Sequence, residues 1–411
     1  MPFIFDSPIS NDTVNHIVDY ININKLKIDN IKIFVDLQNI SIGKYYNNNI
    51  VDMYVSKDEK YVQQLFFKEL LTFLNDKINK FRNVGYNNVY FFLYTDHGKN
   101  KLNEYFISTW KQNRRKSWMQ TFEKDKQLSD ANNWFMAIYT QSIFSIQKLL
   151  NTSPHVKLLS LKYVDSDFVP MIYILLDEKT NRLNNTLEVI VSNDHDYTHV
   201  LNYHDNILRY FFLNHSKTEK IQLDHRYNSY IRLVNKYKFK KIDSSGYKNF
   251  AKYYQIFHAL NGDTGDGFGT IEKRKGLTYW ISKIANILEN KSMKEWREII
   301  AADDFKYDIL SDDEKRNIFR KRFFVVDFYF FSIMTIKYLN ENLLDDYDKS
   351  ILSKYSDLLD FNTRELFKLN ADIIRDIVFN PKSINRNDAY TVLTHFIDNK
   401  NSKIFSESLW Y

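Results

Sequence analysis

Leu187-Glu-Val-Ile-Val-Ser-Asn-Asp-His-Asp196 is a short apolar run that passes directly into a polar turn carrying two aspartates. Three other segments repeat the pattern. Ile31-Lys-Ile-Phe-Val35 closes on Asp36, Asn88-Val-Tyr-Phe-Phe-Leu-Tyr94 closes on Asp96, and Val156-Lys-Leu-Leu-Ser-Leu161 leads to Asp165 and Asp167. Apolar runs of this length, bounded by turn residues, suit buried strands. Amphipathic stretches of helical length separate them at Tyr61–Phe81, Asn133–Leu150 and Phe168–Leu176. Strands alternating with helices predict an α/β fold with a mostly parallel sheet and right-handed crossovers. Ligands of such sheets gather at the carboxyl ends of the strands, which is where this chain puts its aspartates.

One aspartate after a strand is ordinary turn chemistry, because its side chain caps the next backbone amides. Agreement at four strand ends points further. If the strands are neighbours, six carboxylates share one small volume, and like charges that close raise each other's pKa. Divalent cations relieve the repulsion, and an all-oxygen donor set suits Mg²⁺ or Mn²⁺. His195, between Asp194 and Asp196, reads as a flanking residue, since no paired-His helix motif accompanies it.

Composition narrows the alternatives. The 411 residues correspond to two or three domains of roughly 100–200 residues, or to one enlarged core with appendages. With 44% hydrophobic and 26% charged residues, wholesale disorder is excluded. The absence of cysteine excludes disulfides, thiolate zinc sites, iron–sulfur clusters and a Cys nucleophile. The opening Met1-Pro-Phe-Ile-Phe-Asp-Ser-Pro8 has neither a basic segment nor a long apolar one, so no secretion signal is expected and a cytoplasmic setting fits. The most apolar stretch, Phe323–Leu339, is interrupted by Asp327 and Lys337 and falls short of the ~18 residues a membrane span needs. It reads as one buried helix.

Two further segments bear on function. His97 to Asn132 is basic in its middle, where Lys111, Arg114, Arg115 and Lys116 alternate with aromatics such as Tyr105, Trp110 and Trp118. Cations neutralise phosphates and aromatic rings stack on exposed bases, the pattern of single-strand binding. The competing reading is a solvated helix whose aromatics are core. The second segment holds five of the nine glycines, in Asn261-Gly-Asp-Thr-Gly-Asp-Gly-Phe-Gly-Thr-Ile-Glu-Lys-Arg-Lys-Gly276, between helical stretches at Tyr247–Leu260 and Leu277–Leu288. A Gly-rich turn between helices presents backbone amides to phosphate. Gly267, Gly269, Lys273, Arg274 and Lys275 are its candidate nucleic-acid contacts, and Asp266 can reach back to the carboxylates. The Walker spacing is absent.

In this order the parts resemble the flap endonuclease and 5′-to-3′ exonuclease family, particularly divergent viral and phage RNase H-type 5′-nucleases, over roughly Ile31 to Leu288. Ile33-Phe-Val-Asp-Leu-Gln-Asn39 looks like the family's opening strand, Tyr94-Thr-Asp96 like its second acidic strand end, and Tyr105 to Arg115 like the base of its helical arch. Val164-Asp-Ser-Asp-Phe-Val169, Ser192 to Asp196 and Ala259-Leu-Asn-Gly-Asp-Thr-Gly-Asp266 look like the later acidic motifs. There are two departures. Phe168 stands where the family's motif carries its last carboxylate, and Phe268 to Gly276 lacks the proline and Gly-hydrophobic-Gly turn of the helix–three-turn–helix module.

The resemblance implies a PIN-like core at 31–245, with a basic arch at 97–132. An N-terminal extension (1–30), a helix–three-turn–helix DNA-binding module (246–290) and a C-terminal helical region (291–411) complete the chain. It implies a monomeric hydrolase of replication and repair intermediates, in the cytoplasm of an infected host if viral. Its substrates would be DNA with 5′ flaps or ends, with RNA·DNA hybrids as a second class and replication proteins as partners through 291–411. Asp36, Asp96, Asp165, Asp167, Asp194, Asp196 and Asp266 would hold two Mg²⁺, replaceable by Mn²⁺, with K⁺ at the helix–three-turn–helix loop. Lys111, Arg114 and Arg115 would act on the scissile phosphate, and Trp110 and Lys116 would contact nucleic acid. Two other readings stand beside it: a PIN-type ribonuclease, and a binding protein that has kept the fold without the activity.

Overall fold

The computed structural model describes residues 11–37, 50–56, 58–112, 116, 119–120, 123, 125–192, 194–213, 220–224, 250, 252–264, 266–305, 310 and 312–411. At its centre lies a six-stranded sheet in the order β3-β2-β1-β4-β5-β6. β1 (Asn30–Asp36), β2 (Val89–His97), β3 (Val156–Lys162) and β4 (Thr186–Val191) are the four expected strands, and they pair in parallel. β5 (Ile207–Leu213) extends the parallel sheet beside β4, and β6 (Lys220–Asp224) closes it antiparallel. These last two strands were not anticipated. β5 carries an arginine inside its apolar run, and short 3₁₀ turns at His195–Thr198 and Val200–Asn202 replace the crossover helix that would have announced it. The whole is the α/β, mostly parallel sheet flanked by helices that the resemblance implies.

Register and the two-residue period of a strand sort the side chains into two layers. Ile33 lies opposite both Phe91 and Val189. Together with Ile31, Val35, Leu93 and Val191 these side chains form one face, covered by α1 (Asn11–Ile23), α2 (Glu59–Asn83) and α3 (Lys126–Leu150). α2 buries Val62, Phe66, Leu70, Leu74, Ile78 and Phe81, a stripe at helical spacing, and its first turn is capped by the Asp58 carboxylate accepting from the Tyr61 N–H. Phe34, Phe92, Tyr94 and Ile190 form the other face. α4 (Val169–Lys179) lies against it, buried without interruption from Val169 to Asp177, and is joined by α5 (Tyr254–Asn261) and α6 (Leu277–Leu288).

The stretch Phe323–Leu339 is not one helix. α7 (Asp313–Val326) and α8 (Phe328–Asn340) meet at an angle of 67° at Asp327. Asp327 is fully buried, and its carboxylate accepts from Arg297 Nε (2.6 Å) and Nη2 (3.0 Å). A buried carboxylate is tolerated when a bidentate guanidinium satisfies it, and the helix breaks at Asp327, whose backbone is extended (φ −93°, ψ 94°). Among the described residues no single helix is long and apolar enough to cross a membrane.

The C-terminal helices reach both faces. Phe328 and Phe331 of α8 belong to the layer beneath α4. α9 (Phe361–Ile374) covers the edge strand β3, where Asn370 imitates a strand partner by accepting from the Lys162 N–H (2.8 Å) and donating to the Lys162 carbonyl (3.0 Å). α10 (Asn399–Leu409) packs on the far face, where Arg82 Nη1 of α2 donates to the Ser408 carbonyl (3.1 Å).

Candidate metal centre

From β1 the chain builds the sheet outward in both directions, so the crevice beyond the ends of β1 and β4 is a topological switch point. Asp36 ends β1, and Asp194 and Asp196 follow β4. Asp96 near the end of β2, and Asp165 and Asp167 after β3, complete the row.

The two Asp-x-Asp segments fold alike. Asp165 (φ −72°, ψ 129°) and Asp194 (φ −69°, ψ 130°) each precede a 3₁₀ turn and accept from the backbone N–H of the second aspartate, at 3.4 Å for Asp167 and 2.9 Å for Asp196. The first acid therefore caps the turn and the second is carried into the crevice. Capping and clustering are one arrangement here. Ser166 ties the first turn to β2, donating from N (2.9 Å) and Oγ (2.7 Å) to Asp96 Oδ1. Arg209, buried in β5, ties the second by donating from Nη1 to the Asp194 carbonyl (2.5 Å).

Electrostatics shows how closely the acids share their space. Burial, then Asp165, Asp194, Asp36 and Asp96, push the Asp167 carboxyl far above the carboxylate range. Burial, then Asp194, Asp266, Asp263 and Asp165, do the same to Asp196. Asp96 is solvent-exposed but walled by protein atoms, and that crowding, followed by Asp165, raises it. Asp165 moves the other way. Burial opposes its charge, but Lys111 outweighs this, with Nζ 2.8 Å from Oδ2, and holds the carboxyl low. Beneath the acids, the Tyr94 and Tyr197 hydroxyls lie 2.8 Å apart, and Tyr197 donates to Asp167 Oδ1 (3.1 Å). Burial pushes both phenols well above their ordinary value, so they remain protonated.

The Gly-rich turn carries Asp266 to this crevice. Two glycines allow the approach. Gly262 (φ 73°) would put a Cβ 2.4 Å from the Gly269 carbonyl oxygen, and Gly267 (φ 89°) would put one 2.0 Å from that of Thr109. Beside that contact the Lys111 N–H donates to the Asp266 carbonyl (2.6 Å). Gly267 thus faces the Thr109–Lys111 backbone. Gly267→Ala is expected to cost about 1–3 kcal/mol from the backbone conformation alone, with the clash added, measured as a lower urea midpoint. An unchanged midpoint would contradict this packing.

The remaining candidates fall into three groups. Lys116, Lys273, Arg274 and Lys275 are exposed, the last three just before α6, where Lys275 Nζ lies 4.4 Å from the Tyr279 ring centroid. Gly269 is exposed, with its carbonyl accepting from Arg322 Nη1 (2.6 Å). Trp110 is 5% exposed and stacks on Phe268 (5.7 Å, 16°), so its ring is core and offers no face to a base. Arg114 and Arg115 lie outside the described residues. Phe168 is core as well, stacked on Phe331 at 3.8 Å.

Sequence reasoning missed His258, whose Nδ1 is 3.5 Å from Asp196 Oδ1 and whose Nε2 is 3.9 Å from Asp263 Oδ2. Asp263 was passed over in favour of Asp266. The available signal was that His258 lies one helical turn before Gly262, on the segment that delivers the loop.

The donor set is carboxylate oxygen throughout, in a crevice where burial and then neighbouring carboxylates raise Asp96, Asp167 and Asp196, which fits hard divalent cations. Asp36, Asp96, Asp165, Asp167, Asp194, Asp196 and Asp266 are the residues that could hold them. Among the described residues no three carboxylate or imidazole groups are placed so as to enclose a position for one ion.

No family model and no curated protein sequence matches this chain. Solved structures with a similar chain course come from bacteriophage T5. One is a D15 flap endonuclease variant in a pseudo-enzyme–product complex with DNA and metal ions (14% identity, TM-score 0.47, 79% of this chain and 99% of that one). Another is D15 protein co-crystallised with metal ions (15%, TM-score 0.46, 79% and 99%). A third is T5 5′-exonuclease with bound zinc (15%, TM-score 0.42, 79% and 98%). At these scores the likeness is one of general chain course.

Proposed function

We propose that the protein is a metal-dependent 5′-nuclease that hydrolyses phosphodiesters in DNA with 5′ flaps or ends, with RNA·DNA hybrids as a second substrate class. The observation that carries this reading is the placement of carboxylates from four strand ends around the switch point, with Asp266 brought in by the Gly turn. Two divalent ions bound there, Mg²⁺ or Mn²⁺, would lower the pKa of an attacking water and stabilise the departing 3′ oxygen. The chain's own residues do the rest. Asp36, Asp96, Asp165, Asp167, Asp194, Asp196 and Asp266 bind the ions, and Asn100 and Ser166 orient Asp165 and Asp96. Lys111, reaching the crevice from its rim, neutralises the scissile phosphate together with Arg114 and Arg115. Lys273, Arg274 and Lys275 grip the duplex backbone away from the reaction, so binding weakens steeply with salt despite a formal charge of only +6.

The test is cleavage of 5′-flapped and nicked duplexes, labelled at the 5′ end, in Mg²⁺, Mn²⁺ or EDTA, with Asp194→Asn in parallel. A short 5′ product that needs the ion and disappears in the variant is the expected result. Salt-sensitive binding without cleavage under any ion would replace this reading with the binding-protein one. Faster cutting of single-stranded RNA than of flaps would replace it with the ribonuclease one.

A further inference from the structure

Lys111 is fixed to the acidic crevice at both ends. Its backbone is left-handed (φ 52°), and its N–H donates to the Asp266 carbonyl (2.6 Å). Its ammonium donates to Asp165 Oδ2 (2.8 Å). Two different acidic segments, the Gly turn and the Asp-Ser-Asp turn, therefore hold one residue. The remaining positions on Asp165 are also engaged: Oδ1 accepts from the Asp167 N–H (3.4 Å), and Oδ2 accepts from Asn100 Nδ2 (3.3 Å) besides Lys111. No divalent ion can take Asp165 Oδ2 without contending with the ammonium.

We propose that Lys111 is the resident cation of the ion-free site, and that divalent ions load by expelling its ammonium from Asp165. This rests on the metal-site reading above. Charge supports it, because Asp165, Asp96 and Asp167 together hold the ammonium above its ordinary value although burial opposes it. Geometry supplies the exit. The Lys111 side chain is 25% exposed, and its flexible four-carbon stem can swing a compact charge to the rim without moving the backbone bond to Asp266. Loading thus releases a cation at the mouth of the crevice, where a phosphodiester approaches, and a site without ions keeps that cation withdrawn. Lys111 sets ion affinity as well as contacting substrate.

The prediction is opposite in sign to that for a residue that helps to hold metal. In titration calorimetry, Lys111→Met is expected to bind Mg²⁺ at least about tenfold more tightly than wild type, because a competing unit charge a few ångströms away is gone. Its melting temperature in EDTA is expected to fall below wild type, with the difference closing as Mg²⁺ is added. Lys111→Gly, which suits the left-handed backbone, should reproduce the tighter binding should methionine be strained there. Lys111→Arg, able to fork onto Asp165, should bind Mg²⁺ more weakly than wild type. Equal or weaker Mg²⁺ binding by both Lys111→Met and Lys111→Gly overturns the proposal and leaves the nuclease reading intact. If neither wild type nor any variant binds Mg²⁺ or Mn²⁺, both fall.

Discussion

Asp167→Asn is expected to make the ion-free protein more stable while reducing ion-dependent cleavage by at least ~10²-fold, the upper end of what residues supporting a metal ligand cost. Asp167 stands at the electrical centre of the crevice, raised by burial and then by Asp165, Asp194, Asp36 and Asp96. The sign follows from linkage. An unfolded chain releases the Asp167 proton near pH 3.9, whereas the folded, ion-free protein holds it to higher pH. Between those limits the native state binds more protons than the unfolded one, so stability falls as pH rises. Asparagine has no proton to lose and still accepts from Tyr197. The gain of Asp167→Asn over wild type should therefore be negligible below about pH 4 and grow with pH until Asp167 has ionised in the fold. Asp165 contributes in the opposite direction, since Lys111 holds it low, which is why the comparison is between the variant and wild type. Melting temperatures from pH 4 to 8 in EDTA test this. A variant that is less stable than wild type at pH 8 would contradict the mutual charging on which the site rests. Saturating Mg²⁺ should reverse the order, because bound ions favour the wild-type carboxylate.

Phe168→Asp is expected to lose at least about 4 kcal/mol of stability and to gain no ion affinity. The substitution supplies a carboxylate at the last position of the Asp165-Ser-Asp167-Phe168 turn, next to two acids of the crevice. Here the position is core. Phe168 is 1% exposed, stacked on Phe331 at 3.8 Å and 9° and edge-on to Phe328 at 5.0 Å. Removing a buried aromatic costs about 3–5 kcal/mol, and an unpaired buried carboxylate adds to that. Phe168→Leu, which retains most of the apolar contact, should cost less than half as much. Urea midpoints for the two variants, with Mg²⁺ titrations of whatever folds, decide the matter. A well-folded Phe168→Asp with tighter Mg²⁺ binding would show that the position belongs to the site after all.

The strands and their acidic ends were legible because two independent signals coincide there. The apolar runs have strand length, and each terminates on a residue that caps a turn. Legibility stopped where tertiary partners decide. Trp110 sits among cations and reads as a stacking residue, but Phe268, more than 150 positions away, covers it. Arg209 disguised β5 because an isolated arginine in an apolar run carries no sign that a backbone carbonyl, that of Asp194, will accept from it. Asp327 reads as a polar interruption of a helix, whereas in the fold it is the extended corner of a 67° break, paired with Arg297 from another helix. The Tyr94–Tyr197 pair and the approach of His258 to Asp196 likewise join residues whose separate contexts are unremarkable.

The wrapping of the last helices around both faces of the sheet has a consequence for how the chain is made. The Arg82–Ser408 hydrogen bond spans 326 positions. At roughly 5–20 residues per second, the N-terminal strands wait about 15–65 s in the translating chain before that partner is synthesised. During that interval Phe67, whose ring later meets Phe396 edge-on, and the edge of β3 that Asn370 later covers, wait without those partners. Contacts that close over so long a span come late, because the loop entropy must be met before they form. The seven candidate aspartates, at positions 36 to 266, have all been synthesised before that partner appears.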